Sequence, residues 1–242
     1  MEKGYVAVLD SGVGGISVLK ELVKRYPNEQ YLYFGDYYNA PYGNKNLRQL
    51  LDITKRNIDF IKRYPIKLIV LGCNTLSVTL KEDIECYAGV RVFGIYPPVE
   101  TTFNHDDKTL LLATVKTAKQ YIASDNLHVV GLKDLARDIE NNISSLTNVN
   151  FSSHLECSVG DFCNKKNFYK TVILGCTHYE FIKNQIFDHF CPQNMISGVN
   201  FLVKNLSNTL ISNKTLVNHN CFDVLFIGDN ARVYRNAFGM GG

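Results

Sequence analysis

Two cysteines stand in nearly the same string. Leu68-Ile69-Val70-Leu71-Gly72-Cys73-Asn74-Thr75 and Thr171-Val172-Ile173-Leu174-Gly175-Cys176-Thr177 each carry an apolar strand pattern, a glycine, a cysteine and a threonine. A cysteine just past a buried strand reaches a loop, where N–H groups at the next helix start favour its thiolate. For either cysteine alone, buried packing is the simpler reading. Matching contexts in the two halves of the chain favour chemistry. Two thiols on opposite sides of a substrate, one ionised and one not, can take an α-proton from one face and return one to the other. The carbanion that forms between these steps needs preorganised hydrogen-bond donors. A cysteine hydrolase would need one cysteine with a histidine partner and no second cysteine.

Other residues fit around that pair. Asp10-Ser11-Gly12-Val13-Gly14-Gly15 is not a dinucleotide fingerprint, because Ser17 stands where the third glycine should be, and it is not a Walker loop. It reads as a turn that brings backbone N–H groups to a small anion, with Asp10 and Ser11 toward the ligand. Helix capping by Asp10 is the alternative. Pro41-Tyr42-Gly43 is an ordinary turn signal. Thr114 and Thr117 can donate hydroxyls to a carboxylate or cap a helix. His178, two residues after Cys176, can tune the thiol or hold substrate. Glu140 falls on a helix-like stretch and reads as solvent-exposed.

These residues sit at the ends of short apolar runs. Val6–Leu9, Tyr31–Phe34, Leu68–Leu71 and Val90–Phe93 are followed by small or polar residues. The pattern restarts with Leu110–Ala113, a weaker run at His128–Gly131, Val172–Leu174 and Val224–Ile227. Helical patterns lie between, over Ile16–Tyr26, over Asn46–Arg63 and through Phe181, Ile182, Ile186 and Phe187. Alternating strands and helices predict an α/β fold with parallel strands and βαβ crossovers. Ligands gather at the carboxyl ends of such strands, where both cysteines lie. Pro97-Pro98 is the best hinge, because proline interrupts regular pairing.

Composition narrows the rest. Hydrophobic residues make up 45% and charged residues 20%, ordinary for a globular chain. The net charge of +3, with scattered basic residues, argues against a nucleic-acid or membrane surface. No apolar run approaches membrane-spanning length, and no leader pattern is seen. The seven cysteines, at 73, 86, 157, 163, 176, 191 and 221, include no C-x-x-C pair. Reduced thiols in a cytoplasmic protein are expected, most of them as buried packing residues. No metal-ligand cluster stands out.

Four motifs in order resemble those of glutamate racemases: Asp10–Gly15, then Gly35-Asp36 with Pro41-Tyr42-Gly43, then Cys73-Asn74-Thr75, then Leu174-Gly175-Cys176-Thr177-His178. The resemblance implies two pseudo-symmetric α/β domains with parallel-rich sheets and an active site in the cleft between them. The expected boundaries are 1–97 plus 197–242 for the first and 98–196 for the second. It implies cofactor-independent, metal-free interconversion of L- and D-glutamate, supplying D-glutamate for peptidoglycan; a relative acting on aspartate is the alternative. Cys73 and Cys176 would be the acid/base pair. Asp10, Ser11, Tyr42, Gly43, Asn74, Thr75, Thr177 and His178 would hold the substrate, with Asp10 beside Cys73 and His178 beside Cys176. Thr117 would be a further contact, and Glu140 the match to an acidic residue near the second cysteine. The expected partner is glutamate, the expected assembly a homodimer, with no membrane or nucleic acid. The chain departs from the family pattern at Gly72, Leu76, Tyr38-Asn39, Pro97-Pro98 and Glu180. Leu76 and Glu180 are expected near the pocket, where they would bear on substrate fit.

Overall fold

The computed structural model describes residues 4–102, 106–159, 166–210 and 223–239, the side chains of 157–159 and 208 excepted. Chain order gives β1 (Tyr5–Asp10), α1 (Ile16–Arg25), β2 (Tyr31–Gly35), α2 (Leu47–Ile61), β3 (Ile66–Leu71), α3 (Asn74–Ala88), β4 (Val92–Gly94) and α4 (Val99–Thr102). The second stretch is β5 (Thr109–Thr114), α5 (Val115–Ala118), β6 (Leu127–Leu132), α6 (Leu135–Asn141), α7 (Phe151–Val159), β7 (Thr171–Gly175), α8 (Lys183–Phe190) and β8 (Asn194–Ser197). The chain then adds α9 (Val199–Asn205), β9 (Val224–Ile227) and α10 (Ala231–Phe238).

Two separate sheets form, and every strand pair in them is parallel. The first has the order β4-β3-β1-β2-β9 and the second β6-β5-β7-β8. Both faces of each sheet are covered, which is why their strands read as unbroken apolar runs. Along β1, Val6 and Val8 enter one core with Tyr33, Leu19 and Leu22, while Ala7 and Leu9 enter another with Ile69, Leu76 and Ile58. Along β5, Leu110 and Leu112 face one core, Leu111 and Ala113 the other.

The strand orders explain where chemistry can sit. In the first sheet the chain runs outward from β1 to β2, then returns to place β3 on the other side of β1. In the second, β5 is followed by β6 on one side and β7 on the other. Each reversal opens a crevice at the carboxyl ends of two neighbouring strands. Asp10 and Cys73 lie at the first crevice, Thr114 and Cys176 at the second. The chain passes from one sheet to the other after β4, through Pro97-Pro98, and returns after β8. Among the described residues, no helix is long and apolar enough to cross a membrane.

Candidate active site

Cys73 is the residue before α3 and Cys176 the residue before a 3-10 turn at Thr177–Ile182. Of the helical pattern read through Phe181, Ile182, Ile186 and Phe187, the first two residues fall in that tighter turn and the α-helix starts at Lys183. Both cysteines line one small cavity between the sheets, together with Ser11, Tyr42, Gly43, Asn74, Thr75, Thr177 and His178. Three residues selected from the sequence are not on that wall: Asp10, Thr117 and Glu140, all buried behind it. Pro41, Thr114 and Ala136 complete the wall. The cavity is about 10 Å³. That is close to the least space that holds one water molecule.

The two thiols have different neighbours. Cys73 donates from its thiol to Ser11 Oγ at 3.8 Å. Burial pushes its pKa up, the nearby Asp10 charge adds to this, and the Leu76 N–H only partly offsets them. The start of α3 does favour a thiolate, as expected from the sequence, but burial and Asp10 outweigh it and favour the thiol form of Cys73. Cys176 Sγ lies 4.0 Å from His178 Nδ1, and His178 Nε2 donates to Glu140 Oε2 at 2.7 Å. Burial disfavours the imidazolium, yet the hydrogen bonds and charges of Cys176 and Glu140 prevail and raise the His178 pKa well above its ordinary value. That balance favours an imidazolium beside the second sulfur.

Glu140 corrects the sequence reading. It is 5% exposed rather than solvated, and beyond His178 it accepts from the Val13 N–H at 2.7 Å. The glycine-rich loop is corrected with it. Its Gly15 and Gly12 N–H groups donate to Asp10 Oδ2 at 2.8 and 3.3 Å, and its Val13 N–H to Glu140. These N–H groups receive carboxylates of the protein itself. The glycines allow close approach: a Cβ on Gly14 would lie 2.5 Å from both His178 Nδ1 and Thr177 Oγ1. Asp10 also serves the start of α1, since it accepts from the N–H of Gly15, the residue at that helix's N-cap position.

Asp10 Oδ1 and Asn74 Oδ1 are buried acceptors with no hydrogen-bond partner. Burial raises the Asp10 pKa, against the lowering pull of His178. Thr75 Oγ1 lies 3.0 Å from Thr114 Oγ1 and 3.2 Å from Thr117 Oγ1, joining the two sheets through hydroxyls. Thr114 also caps α5.

No protein-family model matches the chain. Curated relatives do. Glutamate racemase of Clostridium novyi (strain NT) is 31% identical over 193 residues, covering 75% of this chain and 73% of that one. Glutamate racemase of Clostridium botulinum (strain Langeland) is 33% identical over the same shares of both chains. The chain belongs to the glutamate racemase family. Its fold agrees: glutamate racemase from Campylobacter jejuni superposes with a TM-score of 0.79 at 24% identity, over 98% of this chain and 97% of the other. The Francisella tularensis glutamate racemase, solved in complex with D-glutamate, gives 0.75 at 23% identity, over 100% and 94%.

As a member of the glutamate racemase family the chain is an isomerase, an amino-acid racemase. Two of its departures from the family pattern, Leu76 and Glu180, are absent from the cavity wall. Leu76 is fully buried in the apolar core with Leu80, Ile53 and Leu71. Glu180 lines a separate surface hollow with Lys20, Glu21 and Lys183. Neither side chain lines the wall between the cysteines, although the Leu76 N–H meets Cys73. The cysteine expectation is corrected. The two buried ones, Cys73 and Cys176, line the cavity, while Cys86 is exposed and Cys191 half-buried. Cys163, Cys221 and the side chain of Cys157 lie outside the described residues.

Proposed function

We propose that this chain interconverts L- and D-glutamate without a cofactor, using Cys73 and Cys176 as the acid/base pair. The observation that carries the reading is that the two cysteines line one cavity, each at the end of a strand beside the reversal point of its own sheet. One thiolate removes the α-proton, the opposite thiol delivers a proton to the other face, and the roles exchange in reverse. His178, held by Glu140, donates toward Cys176 Sγ. The unpartnered acceptors on Asp10 and Asn74 suit an α-ammonium group. The Ser11, Thr75 and Thr177 hydroxyls and the Tyr42–Gly43 turn suit carboxylates.

A cavity of about 10 Å³ does not admit glutamate. Substrate binding therefore requires the two halves to part. We take these halves as 1–97 with 197–242, and 98–196. Contacts that must give way include Thr75 with Thr114 and Thr117, Asn44 Nδ2 donating to Asp134 Oδ1 at 2.7 Å, and Val13 N–H donating to Glu140. Supply of D-glutamate for peptidoglycan, a cytoplasmic location and a homodimeric assembly accompany the reading through the family resemblance.

The test is circular dichroism of L- and D-glutamate, and of L- and D-aspartate, incubated with purified protein. Loss of optical activity from either glutamate enantiomer, faster than from aspartate, is the expected result. A higher specificity constant for aspartate would reassign the substrate, and no racemisation of either amino acid would contradict the function.

A further inference from the structure

Asp36 takes no part in the proton transfers, yet its side chain organises one wall of the site. Lying just past β2, its carboxylate accepts from Asn39 Nδ2 at 2.8 and 2.9 Å, from the Tyr42 hydroxyl at 2.6 Å and from Asn57 Nδ2 at 2.8 Å. Asn57 Nδ2, on α2, also donates to the Tyr42 hydroxyl oxygen at 2.9 Å. Asp36, Tyr42 and Asn57 are all buried. A buried carboxylate is costly unless donors surround it. Here they are neutral groups in fixed directions, and a carboxylate offers about four acceptor sites to meet them.

This arrangement decides what Tyr42 presents to the cavity. Its single O–H is spent on Asp36 and its oxygen accepts from Asn57, so the hydroxyl belongs to the network behind the wall. Tyr42 and Gly43, the first two residues of the Tyr42–Asn44 turn, line the wall itself. On its other side the turn meets the second sheet: a Cβ on Gly43 would lie 2.7 Å from Thr114 Cβ. The turn is held between a hydrogen-bond network and Thr114, with less than a methyl group of slack.

We propose that Asp36 and Asn57 are positioning residues for substrate recognition: by anchoring the Tyr42 hydroxyl they fix the Tyr42–Gly43 turn at the place where it receives a carboxylate of the substrate. The inference rests on the racemase reading above. The turn lies on a wall shared by both enantiomers, so its displacement weakens both. An interaction present equally in ground and transition states changes KM more than kcat.

The experiment is steady-state racemisation of L- and D-glutamate by wild type, Asp36→Asn, Asn57→Leu and Tyr42→Phe, with thermal melts of each. Asp36→Asn points an amide donor at donors, and Asn57→Leu removes the second anchor. KM should rise about tenfold or more for both enantiomers, as expected for a broken buried hydrogen bond. Tyr42→Phe keeps the turn's backbone and should raise KM in the same sense; it carries the test if Asp36→Asn fails to fold. The exchange variant, Asp36→Asn with Asn57→Asp, restores one carboxylate facing one amide and should recover much of the KM. Lower kcat and melting temperature with wild-type KM would mean a merely structural role and overturn the proposal. A wild type that racemises glutamate beside folded variants of unchanged KM overturns the positioning role alone; a wild type without racemisation overturns the underlying reading.

Discussion

Glu140 Oε2 lies 2.7 Å from His178 Nε2 and also 2.7 Å from the Val13 amide nitrogen. One carboxylate oxygen thus joins the histidine beside Cys176 to the glycine loop of the other sheet. The same contact raises the proton affinity of His178 and ties it to the loop after β1.

Glu140→Gln should keep an acceptor for Val13 but lose the charge that holds the imidazolium. Racemisation should fall on the order of a hundredfold, and the His178 titration followed by NMR should move down. The stability consequence has a defined sign. The folded pKa lies above the unfolded value of about 6.5, so the pair's stabilisation is complete below that value and is lost as pH rises through the raised folded value. Wild type should exceed the variant by about 1–3 kcal/mol at neutral pH. The gap should close in alkaline urea titrations; a gap that widens there would contradict the assignment.

Asp10 presents the opposite balance between stability and function. It is fully buried, one oxygen lacks a partner, and burial raises its pKa. A carboxyl that holds its proton more tightly when folded loses stability as pH climbs from its unfolded value through the folded one. At neutral pH the ionised form is therefore a net cost. Asp10→Asn keeps an acceptor for Gly15 and removes the charge. It should stabilise the fold by about 1 kcal/mol, a gain of a few degrees in Tm, while lowering turnover. Calorimetry with a racemisation assay checks both, and a lower Tm would refute the balance.

Leu76→Ala should act on the core alone. Leu76 is wholly buried among apolar side chains and is absent from the cavity wall. The variant should lose about 2–5 kcal/mol in chemical denaturation. The ratio of glutamate to aspartate specificity constants should stay within about twofold of wild type. A larger change in that ratio would return Leu76 to the pocket.

Much of this arrangement is legible in the sequence. Apolar runs mark the buried parallel strands, and the repeated string around Cys73 and Cys176 marks the two crevices, because strand ends at a reversal point are exposed to a cleft. What escapes is what depends on rotation about a helix or on contact between halves. Glu140 reads as solvated, yet it sits four residues after Ala136 and next to Ile139, on the buried side of α6; that spacing is the signal that could have found it. Leu76 reads as pocket-lining because it follows Asn74-Thr75. On a helix, two residues on is the opposite face. The edge strand β8 (Asn194–Ser197) carries too short and mixed a pattern to read. The anchoring of Tyr42 by Asp36 and Asn57 joins residues from three elements, and no local spacing announces it.

The central claim is that Cys73 and Cys176 work on opposite faces of one substrate. It is tested most directly with a glutamate analogue whose α-proton loss is followed by loss of a leaving group, a reaction that needs only one base. Serine in place of either thiol is far too weak an acid to ionise near neutral pH, so racemisation should collapse in both Cys73→Ser and Cys176→Ser. By the family resemblance, Cys73 takes the proton from the D-enantiomer and Cys176 from the L-enantiomer. Cys73→Ser should therefore still eliminate from the L-analogue but hardly from the D-analogue, and Cys176→Ser should do the reverse. Equal loss of elimination from both enantiomers in either folded variant, or wild-type racemisation by either, would contradict the account.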